Sequence, residues 1–313
     1  MYIILKQTFS NLLSSLTSIS PRRGKNEPLA AELIKKFLTG ENIPFITQEF
    51  SASVPVATKA ELIADGKNIP CLGTSFVSGD ITNNVSIQEP YEKTGASEMI
   101  IYNPLSKGIC AQSLKEVPAL AVNIEYVDIL KNSQNISGRV EVEKEDFTSQ
   151  NILVGNITNP KKIIFAHYDS VVGAGALDNA AAVDVLYNTI LLNRSLLNDY
   201  LFVFAGIEEE SISNHDGYYG FEMFDNQYAS IMNSTEEIII IDGVGVSEPY
   251  WTYENVDWCF DIPKFSEIEH KAILMENDQP TVRKYYHSPL DTLDILDPKY
   301  IELARESLIS RLK

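Results

Sequence analysis

Cysteine is scarce in this 313-residue sequence, positive charge is outnumbered, and long apolar runs are missing. The cysteines Cys71, Cys110 and Cys259 are odd in number, far apart and form no CxxC pair. That argues against a disulfide framework or a thiolate zinc site and fits a reducing, cytoplasmic setting. Lysine and arginine total 25 against 43 acidic residues, a formal net charge of −18. Nucleic acid is therefore not an expected partner, because phosphate binding needs a basic surface. An acidic balance suits multivalent cations or cationic substrates, or serves solubility alone. No apolar run reaches about 18 residues, so no membrane span is expected. The opening MYIILKQTFSNLLSSL lacks a basic leader and a small-residue cleavage site, so it reads as an amphipathic helix and secretion is not expected. There is no internal repeat.

What is present is ample core material, with 44% hydrophobic residues, in a chain long enough for one large domain carrying a smaller one. Glu27 to Leu38 sets Leu29, Leu33, Ile34, Phe37 and Leu38 on one helical face, and Gly40 ends it. Between about 50 and 150, short β-rich runs (ELIADG, MIIYN, ALAVNI, RVEVEKE) alternate with Gly, Asn, Pro and Ser punctuation. This predicts a compact β-rich insert over 50–150, with 1–49 and 151–313 forming one discontinuous domain. After 150 the pattern becomes strand and helix in alternation. Strands are expected at Lys162–Ala166, Tyr200–Ala205, Glu237–Asp242 and Lys271–Met275, with a helix over Asn179–Leu192 capped by Asp178 or Asn179. Such alternation implies an α/β layered fold with a mostly parallel sheet.

Ligand-type residues follow these strands at once. IIFA leads into His167, Tyr168 and Asp169; FVFAGI into Glu208, Glu209 and Glu210; IIII into Asp242 and Gly243. Asp178 closes the glycine-rich GAGALD, and His287 stands in YYHSPLDT after the last strand. Ligands bind beyond the carboxyl ends of strands in open α/β sheets. Each residue has a plainer reading alone: a helix cap for Asp178, a turn former for Asp242, a solvated run for the glutamates. Together they place imidazoles and carboxylates on one rim, where the acids repel unless protonated or neutralised by cations. Mixed imidazole and carboxylate donors suit zinc, with cobalt or manganese as alternatives, and one carboxylate can bridge two metals about 3.5–4 Å apart. His215 and His270 lack such placement and read as structural or surface residues.

AHYDS (166–170), GALDNAAAVDVL (175–186), FAGIEEES (204–211), IIIDGVG (239–245) and YHSPLDTLD (286–294) occur in an order and at spacings that resemble the di-zinc aminopeptidase family. That family also includes glutamate carboxypeptidase II, the transferrin receptor and the glutaminyl cyclases. SPRRGKNEPLAAELIKKFL resembles its amino-terminal helix segment, and GASEMIIYN and VPALAVN are similar to the protease-associated insert of its larger members. The resemblance implies a three-layer α/β/α fold around a mixed, mostly parallel sheet, and an aminopeptidase that holds two zinc ions and takes a peptide substrate. It implies that His167 and Asp242 bind one metal, Glu209 and His287 the other, and that Asp178 bridges them. Asp169 then fixes the His167 tautomer, and Glu208 is the general base.

The triple glutamate leaves Glu209 and Glu210 as an alternative pair, though FAGIEE aligns without a gap on the first assignment. SISNHDGYYG departs from the family pattern after the glutamates, which puts the specificity pocket in question. Tyr285 and Tyr286 read as packing aromatics, with a hydroxyl placed near the oxyanion as the alternative. Competing readings are a one-zinc acyl transferase like the glutaminyl cyclases and a catalytically silent binding protein. Oligomeric state is not readable from the sequence.

Overall fold

The computed structural model describes residues 9–92, 95–111, 114–213 and 217–313. The first half of the expected opening helix, and His215, lie outside them. The described part of that opening is a short helix, Asn11–Leu16, with Leu12, Leu13 and Leu16 buried.

A nine-stranded mixed sheet runs through the molecule in the order 250–252, 272–276, 237–241, 162–167, 200–205, 136–155, 46–64, 67–68, with 79–81 paired to 136–155. Strands 272–276, 237–241, 162–167 and 200–205 are mutually parallel; their neighbours at both ends run antiparallel. The four parallel strands read as unbroken apolar runs because both faces are covered. Alternate side chains divide between two cores. Ile164, Phe202, Phe204, Ile239 and Met275 face helices Glu27–Gly40, Ala181–Leu192 and Pro298–Arg311. Ile163, Phe165, Val203, Ile240 and Leu274 face helix Tyr219–Ser234 and the segment 256–268. On that side Phe165 meets Phe221, Phe224 and Phe260 at centroid distances of 5.2, 5.2 and 5.3 Å. Removing such a ring costs about 3–5 kcal/mol. This is the three-layer α/β/α arrangement.

Strands 46–64 and 136–155 pair with each other over nearly their whole length and extend beyond the main sheet. Their far ends pack on a separate four-stranded sheet, ordered 71–73, 119–122, 99–102, 86–88. Leu62, Ile81, Ile100, Leu120 and Val140 form the core between them.

Two details differ from the sequence reading. The buried face of helix Glu27–Gly40 is Glu27, Ala30, Ala31, Ile34 and Leu38, while Leu29 is 55% exposed. Ala30 and Ala31 sit on the buried face, where a search for large apolar residues passes over them. The second helix is capped at Ala180, with no side-chain cap, and starts at Ala181. Asp178 lies outside it with φ −122° and ψ 88°, so its carboxylate is not spent on a cap.

Candidate metal centre

The carboxyl ends of the parallel strands meet at one rim. His167 is the last residue of its strand and is fully interior. Its Nδ1 lies 3.2 Å from Asp169 Oδ1, which leaves Nε2 facing the other rim residues. Asp169 also accepts the backbone N–H groups of Glu208 and Glu209, each at 3.1 Å. One carboxylate therefore sets both the imidazole and the glutamate turn.

Asp178 stands between the two histidines. Its Oδ1 is 3.2 Å from His167 Nε2 and its Oδ2 is 3.3 Å from His287 Nε2. Asp242 Oδ1 approaches His167 Nε2 to 3.9 Å, and Glu209 Oε2 approaches His287 Nε2 to 2.7 Å. Candidate ligand atoms gather into overlapping groups within 4.8 Å: His167, Asp178 and Asp242; Asp178, Glu209 and His287; and His167 with Glu208 and Glu209. All five residues expected as ligands, and Glu208, are thus brought together. Glu210 pairs with Arg23 at 2.5 Å and joins none of these groups, which leaves Glu208 and Glu209 as the pair beside the imidazoles. His270 is exposed on the turn 269–271.

The glutamate turn needs a close approach by the next helix. A Cβ on Gly220 would stand 1.8 Å from the Gly206 carbonyl oxygen, and the Gly220 N–H donates to Ile207 O at 2.9 Å. The YYG at 218–220 supplies that glycine at the start of helix Tyr219–Ser234.

The electrostatics are those of crowded acids. Burial first, then the charge of Asp178, raises Glu209 to about 8. Burial and the neighbouring acids raise Glu208 well above the usual carboxylate range, against the opposing effect of His167. Burial also pushes Asp178 up, yet its hydrogen bonds to both histidines prevail and hold it low. The imidazoles are disfavoured as cations by burial, but Glu208 beside His167 and Glu209 beside His287 pull both well above their ordinary value. Among the described residues, His167 Nε2 and Glu209 Oε1 are buried without a well-aligned hydrogen-bond partner. Such unmet donors around concentrated negative charge fit divalent cations bound by nitrogen and oxygen.

Sequence reasoning missed the frame behind these groups. Arg22 is completely buried, lowered to about 10 by that burial, and gives Nε to Tyr168 O at 2.5 Å and a terminal nitrogen to Gly175 O at 2.9 Å. It also donates to Ala174 O, so one guanidinium ties down the loop from His167 to Asp178. Asp291 accepts the N–H groups of Leu177 and Asp178 at 2.7 and 3.1 Å. Both residues lay in segments that resembled the family, the one available signal. From the smaller sheet's side, Asn103 Nδ2 donates to Arg283 O at 2.7 Å, Ser106 Oγ to Lys284 O at 2.8 Å, and Ala111 N to His287 O at 3.0 Å. These bonds hold the segment that carries His287, whose φ is +53°.

A cavity of about 750 Å³ opens over the cluster, with Asp178, Glu208, Glu209, Asp242 and His287 in its wall. Tyr285 packs against the core as expected. Tyr286 does more than pack: it lines the cavity and its hydroxyl hydrogen-bonds Tyr91 of the smaller module.

No family model and no curated relative matches the sequence. Solved structures do. A zinc aminopeptidase from Bacillus subtilis superposes with a TM-score of 0.70 at 18% identity, covering 96% of this chain and 92% of its own. A peptidase M28 precursor from Shewanella amazonensis gives 0.72 at 14% identity, covering 96% and 91%. A glutaminyl cyclase from an Acidobacteriales bacterium gives 0.53 at 12% identity, again covering 96% and 91%. The chain has the zinc aminopeptidase-like fold. The carboxyl-end rim of that fold's parallel strands is where the present cluster and cavity lie.

Proposed function

We propose that this chain is a metal-dependent exopeptidase, an aminopeptidase that releases amino-terminal residues from peptides with two zinc ions. Cobalt or manganese suits the same donors. The observation that carries the reading is the Asp178 carboxylate, with one oxygen toward each imidazole at 3.2 and 3.3 Å. His167 and Asp242 would hold one ion, Glu209 and His287 the other, and Asp178 would join both. Such ions, when bound, supply Lewis acidity for the attacking water and the scissile carbonyl.

The chain's own residues divide the remaining work. Asp169 keeps the His167 proton on Nδ1, so that Nε2 is the free donor. Glu208 lines the cavity, 3.7 Å from His167 Nε2, with its backbone anchored on Asp169. In this position it takes the proton of the attacking water and returns it to the leaving amine. The smaller sheet, read as a protease-associated-like insert, forms the far wall of the cavity through Phe76 and Tyr91.

The test is metal analysis combined with hydrolysis of aminoacyl amides and peptides, with and without chelator. Two metals per chain and chelator-sensitive release of amino-terminal residues are expected. Fully metal-loaded protein that releases no amino-terminal residue from any peptide defeats the proposal. Occupancy near one, with acyl transfer in place of hydrolysis, moves the reading to a glutaminyl-cyclase-like enzyme, whose fold is also similar.

A further inference from the structure

We propose that Arg283 is a specificity-determining residue that receives a carboxylate of the substrate, so that the enzyme favours peptides bearing one near the scissile bond. This rests on the peptidase reading of the same cavity.

Among the described residues lining that cavity Arg283 is the one lysine or arginine, whereas Asp257 and Glu276 add to the acids of the cluster. Away from the metal-ligand cluster, this guanidinium is the described group in the wall that attracts a substrate carboxylate. Arg283 is placed for the purpose. Its Cζ lies 5.3 Å from the Tyr91 ring centroid and 5.7 Å from that of Trp258, over a face of each. Its backbone is fixed at both ends, by its N–H to Gln279 O at 2.9 Å and by Asn103 on its carbonyl at 2.7 Å. Among the described residues no carboxylate forms an ion pair with it, although Asp257 and Glu276 line the same cavity. A guanidinium held by ring faces keeps its in-plane N–H edge for a two-pronged bond to a carboxylate. Tyr91 comes from the smaller module and Trp258 from the segment after the main sheet's edge strand, so both parts of the molecule shape this subsite.

The carboxylate has two sources, the free carboxyl terminus of a dipeptide or an acidic side chain, and paired substrates separate them. The metal-loaded chain is assayed on Leu-Ala against Leu-Ala-amide, and on Glu-Ala-amide against Gln-Ala-amide. The charged member of one pair is expected to show a KM about 10- to 100-fold lower, the scale of a charge-assisted hydrogen-bonded pair. Arg283→Met should bring that ratio close to one, and Arg283→Lys should keep part of it. A purely structural role between the two rings weakens both members alike and leaves the ratio untouched, which overturns the inference. So does a wild-type ratio of one in both pairs. Calorimetric binding of a phosphinic Leu-Ala analogue, as free acid and as amide, reads the terminal-carboxylate preference without turnover. Turnover with no charge preference in either assay defeats the Arg283 inference alone. A binding preference lost in Arg283→Met, with no turnover of any peptide, defeats the peptidase reading alone.

Discussion

The main sheet and the smaller module build the same cavity by different means. On the main sheet, the chemistry-bearing side chains follow directly from the ends of buried parallel strands, and their positions are inherited from the ladder: Ala205 pairs with His167, and Ile240 with Phe165. Among the described residues the smaller module supplies none of the clustered imidazoles and acids. It grips the backbone of residues 283–287 from outside through Asn103, Ser106 and Ala111. A rim built on strands is rigid because moving it means breaking a core. A segment held by a few polar bonds between loops can be loosened without unfolding anything. The difference predicts where substitutions act on chemistry, where on metal retention and where on adjustment.

The largest effect is expected on the rim. Glu208→Gln keeps the size and the backbone bonds to Asp169 but removes the proton acceptor. Turnover should fall about 10²- to 10⁴-fold while metal content per chain is retained. Steady-state kinetics with metal analysis checks both halves, and full activity would remove Glu208 as the base.

Next in size is a stability effect where the shared strand 136–155 meets the rim. Glu27 is buried there, accepts from Ser149 Oγ at 2.6 Å, and is raised by burial to about 8. An acid whose folded-state pKa is raised binds a proton on folding at any pH between about 4.5 and 8. Stability therefore declines as pH climbs through that window and levels off above it. Glu27→Gln carries no such cost. It should gain on the order of 3 kcal/mol at pH 7 and about 5 kcal/mol above pH 8, and converge with the wild type below pH 4.5. Thermal unfolding across pH reads this directly, and parallel pH profiles for the two proteins would show that Glu27 is not the titrating group.

A smaller effect belongs to the carboxylate that sets both His167 and the glutamate turn. Asp169→Asn should weaken metal binding about 10- to 100-fold, as loss of a partner behind a metal-binding imidazole does. Chelator competition measures it. Unchanged affinity would mean that the turn, and not Asp169, orients His167.

The contrast between the two regions also explains what was legible in the sequence. Strands 162–167, 200–205, 237–241 and 272–276 advertise themselves as apolar runs; His167 ends the first, Glu208 and Glu209 stand just beyond the second, and Asp242 follows the third. Position in the chain was then nearly position in space. Asp178 was legible as a candidate, but its surroundings were not: a helix cap and a site carboxylate use the same residue type, and only backbone angles separate them. Arg22 was invisible as a frame because its partners are carbonyl oxygens about 150 positions away, which carry no side-chain signature. The same holds for Asn103 and Ser106, polar residues in loops that touch backbone near 283. The mixed sheet and its four parallel strands were foreseen, whereas the two long antiparallel strands joining it to the smaller sheet were broken into short runs by their own polar residues.

The smallest expected effect asks how far the two regions are coupled. Asn103→Ala and Ser106→Ala together remove two hydrogen bonds to the His287 segment, worth about 1 kcal/mol each, and touch nothing on the strand ends. On the two-ion proposal, if the module positions His287, the double variant should bind one metal as the wild type does and the other several-fold more weakly, because His287 belongs to one half of the cluster and His167 to the other. A two-step metal titration separates the halves. Equal weakening of both steps would mean that the module stabilises the whole rim. No weakening of either would mean that the positive-φ turn at His287 holds its own shape and that the module only shapes the cavity. The unequal outcome follows from the geometry, since the bonds from Asn103, Ser106 and Ala111 end on residues 283, 284 and 287.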